Sequence, residues 1–592
     1  MSLQGQVHGG QQGVVGAAIQ LYTVGTGGNG TAATPMLTQT VTTGAGGFFS
    51  ITKDYTCGDN NTGTAITSSN QVYLVATGGD PGVGTSNPAL VMVAALGPCG
   101  SLSSASTVYL NEVTTVAAAW ALAPFATSAT HIAASSTNTT GITNAFLDAA
   151  LLANSSSGAL ATLPGNLSVE TGKIDALADA LAGCINSDGG TACTPLFSAA
   201  TEGSSVPTDT FTAALNIVKH PGNNVTKVFN AIGTDVPFPT SLDTPPNDWT
   251  MSLSITGGGL ASPTTLGLDK EGNVWVTNLN GPLSAFGPQG TPLSDTGFAG
   301  GIVESYGLTI DTHGDVWVAN NTGGDGTGSV LKFAGATSTA GSTGTVLLTS
   351  DHTDDVNYPF ALAADTNGNV FVDNSQNGSA TVLTTSGSIY TTPPPNNTLS
   401  GYLGLGFGFT QAIAVDANHG FWMSDNERSV FHFDANGVQL SVTNCCLSSL
   451  AVATDSTGNV WVASYGNDSV SEVGSDGTLK INQDSTGGIT NPHSVSIDGA
   501  QNVWLANYYG NTISEIAGNG GTTKAGTALS PTTGVNGTGG FGLDANLDFP
   551  FSLAPDSSGN VWVASESNDA VVMFFGLGTP TVTPAQPVPT AP

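Results

Sequence analysis

Along residues 266–565 apolar and polar positions alternate in a unit that recurs seven times. Each copy is a short alternating run, an Asp-led polar stretch, usually with Gly, and a second alternating run with an aromatic residue near its start. The copies read LGLDKEGNVWVTN (266–278), LTIDTHGDVWVAN (308–320), LAADTNGNVFVDN (362–374), IAVDANHGFWMSD (413–425), VATDSTGNVWVAS (452–464), VSIDGAQNVWLAN (495–507) and LAPDSSGNVWVAS (553–565). Trp275, Trp317, Trp422, Trp461, Trp504 and Trp562 occupy the aromatic position in six copies and Phe371 in the seventh. Alternation with period two predicts strands. The turn glycine accepts positive φ, and Asp and Asn side chains bond nearby backbone, so each pair of strands is predicted to form a hairpin. The aromatic positions lie 39 to 58 residues apart, the length of a three- or four-stranded sheet with its loops. Seven such sheets predict a seven-bladed β-propeller over residues 249–578, with Trp249–Ile255 adding a strand to the last blade. A linear solenoid would need polar capping repeats, which the sequence does not show.

The pattern before the repeats differs. Residues 4–110 carry short alternating strands separated by Gly-rich turns, which predicts a small antiparallel β-sandwich over 1–110. From Asn111 the period becomes helical: 111–125, 143–154, 169–187 and 208–220 place Ala and Leu at helix spacing, with Thr or Ser near their starts as expected caps. A helical domain or connector is predicted over 111–236, then a Pro-rich linker over 237–248. The Pro/Thr-rich tail, 579–592, is expected to be an extended, mobile linker or anchor. The fold class is mainly β: a seven-bladed propeller preceded by a sandwich and a helical segment.

Composition narrows the partners. The 592 residues hold 9 Lys or Arg against 42 Asp or Glu, a formal charge of −33. Nucleic acid and anionic membrane surfaces are therefore poor partners. Residues 1–248 carry 4 basic and 14 acidic residues and the remainder 5 and 28, so the excess sits in the repeat region, which could attract cations or basic ligands. No run of 18 apolar residues occurs, so no membrane span is expected. An export signal is expected to have preceded the strand-like segment that starts within a few residues of Met1. Six cysteines agree with export. Cys57 with Cys99 and Cys184 with Cys193 are plausible local pairs, leaving Cys445 and Cys446 as a vicinal disulfide or two buried thiols. A vicinal bond near the channel is expected to form an apolar knuckle for a ligand, sensitive to reductant.

Propellers bind ligands where inner strands and their loops converge on the channel. Five residues before each repeat Asp stand Thr264, Tyr306, Phe360, Gln411, Leu450, His493 and Phe551. Three past each aromatic stand Asn278, Asn320, Asn374, Asp425, Ser464, Asn507 and Ser565. The two rings are expected at one end of the channel. They nominate Tyr306, Phe360, Gln411, Phe551, Asn320, Asn374, Asp425 and Asn507 as ligand-binding residues and His493 as a catalytic base, should there be catalysis. An aromatic pocket rimmed by amides suits a sugar or small cyclic ligand. Asp351, Asp354 and Asp355 cluster in SDHTDDVNYPF and nominate a Ca²⁺ site. The repeat Asp series is expected to cap hairpins. No cofactor is fixed by the sequence, with Mg²⁺ or Ca²⁺ the candidate ions.

The D-x-x-G-N-V-W-V units and the NPHSVSID segment resemble the NHL-repeat group, and in particular the streptogramin B lyase (virginiamycin B lyase-like) family. The resemblance spans about residues 249–575. It implies a seven-bladed propeller and a Mg²⁺-assisted elimination that opens a cyclic depsipeptide lactone. Its histidine at the P-H position matches His493, while Leu450 and Phe551 stand at the same position in neighbouring blades and Asn507 stands where a Glu is expected. The G-x-V-x-G opening with the following V-x-G-A-x-I-x-L and T-x-x-G-x-F-x-I strands resembles carboxypeptidase-regulatory, transthyretin-like modules of bacterial surface proteins, which implies a spacer. The expected function is an exported binding or cell-surface interaction protein, extracellular or periplasmic, whose partner is a small molecule, glycan or envelope protein. A metal-assisted carbon–oxygen lyase, or a hydrolase acting on a cyclic ester or polysaccharide, is the alternative.

Overall fold

In a computed structural model the described residues are 2–10, 12–52, 54–57, 67–103, 106–233, 236–239, 242–322, 328–351, 356–376, 378–388, 409–584 and 588–592. They form two compact units, one of residues 1–253 with 574–577 and one of 254–573 with 578–592.

The second unit contains seven antiparallel sheets. The inner two strands are Pro263–Leu268 and Val274–Asn278 in blade 1, Ser305–Ile310 and Val316–Asn320 in blade 2, and Pro359–Ala364 and Val370–Asn374 in blade 3. They are Thr410–Val415 and Phe421–Asp425 in blade 4, and Ser449–Thr454 and Val460–Ser464 in blade 5. Blades 6 and 7 have Pro492–Ile497 with Val503–Asn507 and Pro550–Pro555 with Val561–Ser565. A third strand follows in every blade, and Ser252–Ile255 joins the sheet of blade 7 beside Ala570–Phe574. The Ser552 hydroxyl closes the ring between blades 7 and 1, donating to Thr264 O at 2.6 Å and accepting from Leu266 N at 3.0 Å.

Why this sequence makes blades is visible at two repeat positions. The aromatic residue is buried and wedges between its blade and the next: Trp275 packs with Leu308 and Ile310, Trp317 with Leu362 and Val370, and Trp461 with Val495 and Val503. Burial of such a side chain contributes about 2–3 kcal/mol. The repeat Asp holds both the turn and the aromatic. In blade 7, Asp556 Oδ1 accepts from Ser558 N and Asn560 N, and Oδ2 accepts from Trp562 Nε1 at 2.9 Å. Asp269, Asp311, Asp455 and Asp498 accept from their own tryptophans in the same way, at 2.9 to 3.4 Å. Blade 4 differs because His432 Nε2 occupies Asp416 Oδ2 at 3.0 Å, and its ring stacks on Trp422 at 3.9 Å. These aspartates cap hairpins.

The tail is predicted as an extended linker, yet its described residues fold back on the propeller. Thr579 N donates to Asp498 Oδ2, Thr581 N to Asp556 O and Thr583 Oγ1 to Asp269 O, and Pro589 O accepts from Gln501 Nε2 at 2.7 Å. Prolines need no donor partner, so the segment seats on hairpin turns of blades 1, 6 and 7 without extending a sheet.

The first unit carries two sheets. One pairs Ser2–Gly9 with Gln12–Gly13, Phe48–Thr52 and Thr107–Leu110; the other centres on Ala18–Thr23, Gln71–Thr77 and Val91–Pro98. Thr107–Leu110 runs parallel to Ser2–Gly9, a departure from the all-antiparallel expectation. Helices α1 (Glu112–Leu122), α2 (Thr139–Leu152), α3 (Thr171–Ile185), α4 (Thr194–Ala199), α5 (Thr210–Lys219) and α6 (Val225–Asn230) follow. Asn111, Asn138 and Asp209 cap α1, α2 and α5, where Thr or Ser is the expectation, each side chain accepting from a first-turn N–H. Disulfides join Cys57 to Cys99 and Cys184 to Cys193 here, and Cys445 to Cys446 in the propeller.

Candidate functional site

The first residues of the inner strands define one end of the channel, called the mouth; the Asp-capped hairpins lie at the other, the turn end. A cavity of about 290 Å³ runs between the inner strands, and Tyr306, Phe360, Gln411, Leu450, His493 and Phe551 line it. Thr581, Thr583 and Pro584 of the tail line it from the turn end. Thr264 is withdrawn from the cavity, since its hydroxyl is buried against Thr277 Oγ1 and Ser305 O, and Thr265 takes its place. The aromatics touch across the channel. Tyr306 stacks on Phe360 at 4.6 Å and lies 6.4 Å from Phe551, whose ring is 3.9 Å from His493.

His493 Nδ1 is 3.2 Å from Phe551 O. A carbonyl only accepts, so Nδ1 carries the hydrogen and Nε2 is left as an acceptor. Burial lowers the imidazole pKa to about 4, opposed by that hydrogen bond, so the ring is neutral at pH 7 and a weak base. Gln411 Oε1 has no hydrogen-bond partner among the described residues. That oxygen is buried and is not open to a ligand in this arrangement.

The second predicted ring lies elsewhere. Asn320, Asn374, Asp425 and Asn507 are buried within their blades and do not line the cavity. Asn320 Oδ1 accepts from Val303 N and its Nδ2 donates to Ser329 Oγ; Asn374 bonds Asn357 N, Ser379 Oγ and Thr381 Oγ1. Asn507 bonds Thr490 N, Thr512 Oγ1 and Ser514 Oγ, and Asp425 accepts from the backbone of residues 427–429. Successive residues of a strand point to opposite faces. The residue one step further is therefore the one presented at the mouth: Tyr465, Tyr508 and Glu566 in blades 5, 6 and 7. Their N–H groups donate to Ser448 O, Asn491 O and Phe549 O, carbonyls two residues before the cavity-lining position.

This register brings together residues the sequence reading did not single out. Tyr508 stacks on Phe549 at 4.8 Å, lies 5.2 Å from Tyr509 and His493, and is 6.5 Å from Tyr465. Its hydroxyl donates to Glu566 Oε2 at 2.7 Å, and the Tyr306 hydroxyl donates to Glu304 Oε1 at 3.1 Å. Burial and the adjacent Glu304 push Tyr306 up to about 12. The aromatic pairs YY at 508–509 and FPF at 549–551, each beside a repeat, were the available signal.

Among the described residues no group of three His, Cys, Asp or Glu side chains is placed to hold a metal ion. Asp351 is described and partly buried, while Asp354 and Asp355 lie outside the described residues. The vicinal disulfide does not line the cavity: Cys446 is buried with Trp422, Val460 and Val462 between blades 4 and 5, and both cysteine N–H groups donate to Arg428 O. It packs a joint between blades instead of offering a knuckle to a ligand.

No protein-family model matches this chain, and no curated protein does. Among solved structures, a virginiamycin B lyase from Staphylococcus aureus aligns at 13% identity with a TM-score of 0.40, covering 55% of this chain and 98% of that one. A streptogramin B lyase aligns at 15% identity with the same TM-score, covering 55% of this chain and 97% of that one. Each likeness covers little more than half of this chain; the seven blades here stand on their own strand pairing.

Proposed function

We propose that the propeller is a ligand-binding module taking a small molecule or glycan at the channel mouth, in a protein exported to an oxidising compartment or cell surface. The observation that carries this reading is the aromatic wall of Tyr306, Phe360, His493 and Phe551 around a cavity of ligand size. Blade folding does not require it, because Thr264 and Leu450 stand at the same repeat position. Three disulfides support an oxidising compartment. The transthyretin-like resemblance supports a spacer role for the sandwich.

Phe551→Ala is expected to weaken binding of any ligand found in a calorimetric screen of small molecules and oligosaccharides by tenfold or more, with circular dichroism confirming that the variant is folded, since the side chain also packs on His493. A ligand whose affinity is indifferent to both Phe551→Ala and Tyr306→Ala would move the site elsewhere. The elimination reading makes a different demand. A base with a pKa near 4 is poorly matched to removing a carbon-bound proton at neutral pH. A streptogramin B-type lactone is therefore expected to stay closed with and without Mg²⁺; ring opening that disappears in His493→Ala would replace the binding reading with the lyase one.

A further inference from the structure

We propose that the ligand is an organic cation, an alkylated ammonium group held against the tyrosine and phenylalanine faces of the mouth beside Glu304 and Glu566; this rests on the mouth being the binding site. Three independent features lead there. The first is what the mouth has left to offer. The hydroxyl hydrogens of Tyr306 and Tyr508 are donated to Glu304 and Glu566, and the Thr322 hydroxyl also donates to Glu304 Oε2, at 2.8 Å. A neutral sugar needs donors as well as acceptors, yet these groups present π faces and carboxylate oxygens. Donation to a carboxylate also enriches the phenol ring in electron density, which strengthens its attraction for a cation.

The second feature is geometry. Tyr465, Tyr508, Tyr509, Phe549 and Phe551 meet at angles from 13° to 83°, with centroids 4.8 to 6.5 Å apart, so faces and edges are turned in several directions. A globular ammonium group can use such a surface, whereas a flat sugar ring calls for one broad platform. His493 adds no competing charge, being neutral at pH 7.

The third is the placement of charge. Lys270, Lys332, Lys480 and Lys524, all the lysines of this unit, stand at the turn end: Lys332 pairs with Asp311 and Asp315, Lys480 with Asn459, Lys270 is in a repeat turn and Lys524 follows a third strand that ends there. The mouth end carries Glu304, Glu427, Asp468, Asp548, Glu566 and Asp569 against the single Arg428. The turn end is acidic too, so the attraction is a local one between a cation and the carboxylates beside the aromatic rings.

The test is calorimetry of the full chain at low salt with choline and with its neutral isostere 3,3-dimethylbutan-1-ol. Choline is expected to bind at least tenfold more tightly, to weaken as salt screens the carboxylates, and to lose fivefold or more in Glu566→Gln and in Tyr508→Ala. Glu271→Gln at the turn end should leave it unchanged, and near-ultraviolet circular dichroism checks that each variant is folded. Equal affinity for both alcohols overturns the cation while keeping the mouth as a site. So does binding of a neutral oligosaccharide, lost in Phe551→Ala, where choline does not bind. Absence of binding by choline, isostere and oligosaccharide alike removes both the cation and the mouth.

Discussion

Asp455→Ala is expected to cost about 4 kcal/mol of stability, although it deletes only one small carboxylate, because each buried donor left without an acceptor costs roughly 1–3 kcal/mol. Asp455 Oδ1 accepts from Thr457 N, Asn459 N and the Thr457 hydroxyl. Oδ2 accepts from Trp461 Nε1 at 3.2 Å and from Asn519 Nδ2, a blade 6 residue, at 2.6 Å. Alanine would strand the buried Asn459 N–H and the Trp461 indole N–H and release the link to the next blade. Asp455→Asn keeps one acceptor oxygen but turns an amide N–H toward the indole, so about half the loss is expected. Urea unfolding of the two variants measures this. A change below about 1 kcal/mol for Asp455→Ala would mean that the repeat Asp is dispensable to the blade.

That Asp is also the reason the fold could be read from the sequence. It must recur at a fixed offset from the aromatic because one side chain serves both the turn and the indole, and the wedge recurs because each blade meets its neighbour with the same strand. Features tied to the repeat were therefore visible: the hairpins, the ring and the cavity-lining places of Tyr306, Phe360, Gln411, His493 and Phe551. The second ring was misplaced by one residue. Sequence marks where the strand ends but not which side of the pleat faces the channel, and the buried Asn of that position looks as polar as a binding residue. The Tyr508, Tyr509 and Phe549 cluster escaped because it joins loops of blades 6 and 7 that share no periodicity. The tail escaped for another reason: Pro- and Thr-rich composition signals the lack of a core of its own, and says nothing of a groove elsewhere in the chain able to receive it.

Asp373→Ala is expected to stabilise the protein, most strongly at alkaline pH. Two residues past the aromatic, the other six blades place Thr277, Ala319, Ser424, Ala463, Ala506 and Ala564, whereas blade 3 buries a carboxylate completely. Neither oxygen of Asp373 has a hydrogen-bond partner among the described residues. Burial pushes its pKa up to about 8, opposed by the nearby Thr410 hydroxyl. Below pH 4 the folded and unfolded chains both hold the proton. From there to pH 8 the unfolded chain has released it while the folded chain keeps it, so each pH unit favours unfolding by about 1.4 kcal/mol. The accumulated penalty is on the order of 4–6 kcal/mol and is complete above pH 8. Alanine removes it and gives up little packing, as four blades already carry alanine there. The gain from Asp373→Ala is therefore expected to be near zero at pH 4 and to reach several kcal/mol at pH 8.5, measured by urea unfolding across the range. Asp373→Ser should follow the same curve, since Ser424 shows that a hydroxyl fits the site. A gain independent of pH would instead point to relief of crowding, and a loss at pH 8.5 would show that the carboxylate has a partner in solution that holds blade 3 to blade 4.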